Sequence, residues 1–127
     1  MTYILDTCIL IDFLRGEESV YDLLVHNDVE LTMSTVTFME LVIGAFNKRE
    51  VNYIQKAFKN IGIMYIDEEI SELAEKLVIE FSKSHNLHID DALIAATSIM
   101  KNYELVTYNV SDFKFIPGIK LFQFEKK

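Results

Sequence analysis

"ILDTCILIDFL" (Ile4–Leu14) sets nine apolar or small residues around two aspartates, Asp6 and Asp12. A carboxylate within a run that reads as core is costly unless it is paired or neutralised. The run has two halves. Tyr3 to Leu5 reads as a short buried strand that stops at Asp6. After it, apolar residues at 9, 10, 13 and 14 take helical spacing, with Gly16 as the stop. Asp6 therefore marks the joint between a strand and a helix.

Working outward, the same alternation continues. Residues 17–25 read as a second short helix, "VELTMS" (29–34) as a strand and "TFMELVIGAF" (37–46) as a helix. "EVNYIQKAFKN" (50–60) is helical in spacing, and "IGIMYI" (61–66) reads as a strand. Asp67 suits an N-cap for the long helix "EEISELAEKLVIEFSKSH". "DALIAATSIM" (91–100) is a helix of small residues, "ELVT" (104–107) a strand, and "PGIKLFQF" a turn followed by a last strand. Strands alternating with helices predict an α/β fold. It has a mostly parallel central sheet flanked by helices on both faces. Ligand sites in such sheets form beyond the carboxyl ends of the strands, where Asp6 falls.

The chain has 127 residues, half of them hydrophobic and a quarter charged, with four glycines and one proline. This predicts one globular domain over residues 1–127, with no linker or repeat. The net charge of −8 argues against a surface that coats nucleic acid, though not against an enzyme that holds phosphate through a metal. The single cysteine, Cys8, permits no intramolecular disulfide, which points to a reducing, cytoplasmic setting. It reads as a small buried hydrophobe. The N-terminus lacks a basic leader region, and no apolar run approaches the ~18 residues of a membrane span.

Asp6, Glu40, Asp91, Asn109 and Asp112 fall near one expected edge of the sheet. Each has a structural alternative. Asp6 suits a helix cap, and "TFME" fits a capping box that joins Thr37 to Glu40. Asp90 or Asp91 suits a cap, and Asp112 a turn. Asp90 is an extra acid, open to a role as second ligand but read as a solvated cap. Taken together, carboxylates a few ångströms apart repel unless a cation neutralises them. An all-oxygen set suits Mg²⁺ or Mn²⁺. Such an ion activates water and stabilises charge on a phosphoryl group. Ala92, Ala95 and Ala96 would let the late helix approach the sheet closely and fix where Asp91 points.

These segments resemble the PIN domain, and within it the VapC-like toxins of bacterial and archaeal toxin–antitoxin pairs. The likeness is carried by "YILDTCILIDFLRG", "TFMELVIGA", "IDDALIAATSI" and "LVTYNVSDFKFIPGIKL", in the family's order and over nearly the whole chain. The resemblance implies a Mg²⁺- or Mn²⁺-dependent endoribonuclease that leaves 5′-phosphate products. It also implies a homodimer, a small antitoxin as inhibitor and RNA as substrate. The family's acids fall on Asp6, Glu40 and Asp91, and its hydroxyl residue on Thr7. Asp6 and Asp91 would hold the metal. The fourth position, often aspartate, is Asn109 here, and Asp112 is expected to supply part of the missing charge.

Other features read otherwise. His85 and His88 stand three apart before two aspartates, a spacing open to zinc, but no cysteine joins them. Lys48, Arg49, Lys56 and Lys59 interleave with Tyr53 and Phe58 and read as a solvated helix face rather than an RNA guide, with the aromatics in the core or in a partner-helix groove. An inactive interaction module would explain Asn109. A phosphoacceptor domain would need Asp67 as acceptor and a lysine at the end of a late strand, where "VTYN" has none.

Overall fold

Four short strands form the frame: β1 (Thr2–Leu5), β2 (Glu30–Ser34), β3 (Gly62–Met64) and β4 (Glu104–Val106). They make one parallel sheet in the order β3-β2-β1-β4. The structure, a computed structural model, describes residues 1–16 and 28–123. The helix expected at 17–25 lies outside the described residues. The described helices are α1 (Thr7–Leu14), α2 (Thr35–Ile43), α3 (Lys48–Ala57), α4 (Glu68–His85) and α5 (Ile89–Lys101).

Strand periodicity divides the core. Ile4 and Leu105 turn to one face, where they meet Ile70, Ala74, Leu77 and Phe81 of α4 and Ala92, Ala95 and Ala96 of α5. Tyr3, Leu5 and Val106 turn to the other, among Ile9 and Leu10 of α1, Leu41 of α2 and Ile54 of α3. Adjacent strand residues point to opposite faces, so a strand buried on both sides is apolar throughout. This explains why "YIL" and "LV" show no polar alternation.

The caps follow local chemistry. Asp67 accepts the Ile70 N–H at 2.8 Å and starts α4, as the sequence indicates. Asn86 and Asn102 end α4 and α5 with φ of 56° and 59°, the left-handed conformation that asparagine tolerates. The helix read from 37 begins at Thr35 instead, because Ser34 caps it by accepting the Val36 N–H at 3.1 Å. The Thr37–Glu40 capping box is therefore not formed. The expected last strand reduces to one parallel bridge, Leu105 to Leu121. Of the two aromatics in the basic stretch at 48–59, Phe58 is in the core, whereas Tyr53 is exposed.

The small residues of α5 are buried completely: Ala92, Ala95 and Ala96 have no accessible surface. A larger side chain there has no space, and overpacking costs about 1–3 kcal/mol. Ala95→Leu is expected to lower the stability read by urea unfolding by that amount. An unchanged midpoint would contradict the close packing of α5 on the sheet.

Candidate active site

The register brings the site residues level. Leu5 pairs with Val106, and Ile4 with Thr32. Carried on, the same registers set Asp6 beside Thr107, one step past Leu5 and Val106, and beside Ser34, two steps past Ile4 and Thr32. All three sit at the carboxyl edge of the sheet.

Asp6 is only 6% exposed, and both its oxygens are held. The Thr7 N–H donates to Oδ1 at 2.8 Å, and the Thr107 hydroxyl donates to Oδ2 at 2.7 Å. The first bond makes Asp6 the cap of α1. Capping and a place in the site are therefore compatible in this residue.

Glu40 projects from α2 toward the same place. The Thr7 hydroxyl donates to its Oε1 at 3.2 Å, which ties α1 to α2. Burial raises the Glu40 pKa first, and a hydrogen bond shared with Asp90 raises it further. A hydrogen bond between two carboxyls needs a proton on one of them. The Thr7 hydroxyl opposes the rise, while the charge of Asp6 adds to it.

Asp91 is the electrostatic focus. Its pKa is pushed up to about 7, by burial first and then by the charges of Asp90, Asp6, Asp112 and Glu40. Every charge acting on it is negative. Asp90, read from the sequence as a solvated cap, is instead part of this group. The residue at the cap position of α5 is His88, which makes no side-chain cap bond. Asp90 accepts the Asp91 N–H at 2.9 Å and meets Glu40.

Beyond β4 the chain turns through a short 3-10 helix, Val110–Asp112. Phe113 follows and is fully buried. Burying a phenylalanine is worth about 1.5–3 kcal/mol, which pins this exposed segment to the core. The Asp112 charge thereby reaches Asp91, whereas the Asn109 amide adds none. The Asn109 N–H donates to the Thr107 hydroxyl at 3.0 Å.

Sequence reasoning missed Thr107. It reads as an ordinary strand residue, and the only available signal was its place directly before "YN". Cys8 also departs from its reading as core. It is partly buried, with its sulfur 3.7 Å from Asp6 Oδ2 and 3.8 Å from Thr107 Oγ1. Burial pushes its pKa up, so it remains a thiol. The zinc reading gains nothing. His85 stacks on Phe115 at 4.3 Å and bonds the Ser84 hydroxyl at 2.8 Å.

Among the described residues, no three His, Cys, Asp or Glu side chains are gathered tightly enough to hold a metal ion as they stand. The donor chemistry nevertheless fits a hard divalent cation. The group's charged members are carboxylates, and two of them, Glu40 and Asp91, have pKa values raised by burial and then by neighbouring acids. No helix among the described residues is long and apolar enough to cross a membrane.

Comparison with known proteins places the chain among relatives of the same fold. Ribonuclease VapC19 of Mycobacterium tuberculosis is 31% identical over 122 residues, covering 92% of this chain and 96% of that protein. A toxin–antitoxin complex from Klebsiella pneumoniae contains a chain with 31% identity and a TM-score of 0.77, covering 92% of this chain and 94% of its own. VapBC2 from Rickettsia felis, solved bound to a DNA fragment from its promoter, gives a TM-score of 0.79 at 26% identity, over 98% of this chain and 100% of its own. The PIN domain profile matches residues 3–116, so the chain belongs to the PIN domain family.

Proposed function

We propose that this protein is a toxin-type endoribonuclease, held in check by a small antitoxin, that hydrolyses RNA phosphodiesters with Mg²⁺ or Mn²⁺. The observation that carries the reading is the convergence of four negative neighbours on Asp91 at the carboxyl edge of the sheet. Relatives named as ribonucleases, and neighbours solved as toxin–antitoxin complexes, support the same activity and partner class.

In this reading Asp6 and Asp91 hold the cation. When bound, it supplies the positive charge that favours ionised water and stabilises charge on the phosphoryl group. Glu40 accepts a proton from the attacking water, with Thr7 fixing the carboxylate that receives it. Asn109 and Asp112 orient that water, and Asp112 restores the charge that Asn109 lacks. The inactive-module alternative rests on Asn109 alone, and the charge of Asp112 near Asp91 supports the active reading. An acidic site of this kind suits a basic side chain from the antitoxin. A homodimer belongs to the same proposal.

The electrostatics also predict a pH dependence. The folded pKa of Asp91, at about 7, lies above its unfolded value of 3.8. Its contribution to stability is therefore full below about pH 4 and lost as the pH rises through 7. In chelator, the unfolding temperature is expected to fall between pH 5 and pH 8, and Asp91→Asn is expected to flatten the fall. Mn²⁺ is expected to restore stability at pH 8, by about 2.7 kcal/mol at a hundred times its Kd. A flat wild-type profile with no response to Mn²⁺ would contradict the site.

Activity gives the direct test. Purified protein is expected to cut a mixed RNA pool with Mn²⁺ or Mg²⁺ and not with chelator. Asp91→Asn should lose at least ~100-fold of that activity while remaining folded, consistent with loss of a group that holds the ion. Full activity in Asp91→Asn would sink the assignment. Asp112→Asn is expected to reduce cleavage more than Asn109→Ala, and the reverse order would make Asn109 the fourth site residue.

A further inference from the structure

Thr107 is the buried residue on which the site's hydrogen bonds meet. It follows β4 directly and is 1% exposed. Its hydroxyl has one proton and two lone pairs. The proton goes to Asp6 Oδ2 at 2.7 Å, because an ionised carboxylate can only accept. A lone pair takes the Asn109 N–H at 3.0 Å. The hydroxyl therefore cannot turn away from Asp6 without breaking both bonds.

We infer that Thr107 is a positioning residue: its hydroxyl fixes the Asp6 carboxylate for the divalent cation and ties Asp6 to the loop carrying Asn109 and Asp112. This rests on the metal-site reading proposed above. The Thr7 N–H holds one oxygen of Asp6 and Thr107 the other, so the plane of the carboxylate is set from the start of α1 and from the end of β4. Without the hydroxyl, the Asp6 carboxylate keeps the bond from Thr7 and the Cys8 thiol at 3.7 Å among the described residues. A thiol is a weak donor and does not replace an alcohol at 2.7 Å. The Asn109 N–H would lose its acceptor as well, and the loop would lose its link to β1. Phe113 stays buried in that case, so the change is confined to the edge of the site.

Groups that orient metal ligands typically change metal affinity or activity by about 10–100-fold when removed. The test compares wild type with Thr107→Val, which keeps the shape, Thr107→Ala, which relieves any crowding, and Thr107→Ser, which keeps the hydroxyl. Each is titrated with Mn²⁺ by calorimetry, melted in chelator and in Mn²⁺, and assayed for kcat and KM on RNA. The expected result is Mn²⁺ binding weakened by about 10–100-fold in the Val and Ala variants, with a lower kcat and little change in KM, and recovery in Thr107→Ser. Mn²⁺ binding in either folded variant within roughly threefold of wild type would overturn the inference and leave the metal site standing. Loss of the fold in both Val and Ala variants in chelator would overturn it too, by making the hydroxyl a folding requirement. Wild type that binds no Mn²⁺ would overturn the site reading and this inference together.

Discussion

The parallel pairing of β1 with both β2 and β4 is the constraint on which the rest of the structure depends. It brings Asp6, Ser34 and Thr107 to one level at one edge. Each begins a different task there. Asp6 caps α1, Ser34 caps α2, and Thr107 bonds Asp6. A slip of one residue in either pairing would turn apolar side chains to the wrong face, and in the pairing of β1 with β4 it would also separate Asp6 from Thr107. The core and the site are therefore specified by the same register.

The cluster at that edge is unstable by its own electrostatics. Asp91 and Glu40 have raised pKa values because they are partly buried from water and because their neighbours are also acids. A fold maintains such an arrangement by rigid support. Here the support is the close seating of α5 through its alanines, the Thr7 bond between α1 and α2, and the Phe113 anchor. These contacts pay for the repulsion. A bound divalent cation would turn the same repulsion into attraction, which is the physical content of the proposed nuclease.

Much of this was readable in the chain. An aspartate directly after "YIL" belongs at a strand end, and Asp67 before a long amphipathic pattern belongs at a helix cap. The alanines of "DALIAATSIM" belong against a sheet. Other features depended on tertiary structure. Glu40 fits a capping box by spacing, and only the start of α2 at Thr35 frees it for the site. Asp90 looks like a cap until α2 brings Glu40 to it. Thr107 is a common strand residue whose partner lies 101 positions away. Local patterns carry strand ends and caps, but they do not carry which side chains meet across the sheet.

Diffraction from crystals grown with Mn²⁺, recorded near the manganese absorption edge, tests the central claim most directly. The account predicts an anomalous peak within ligand distance of both Asp6 and Asp91, with Glu40 facing it. A peak elsewhere, or none at a concentration that supports RNA cleavage, would contradict it.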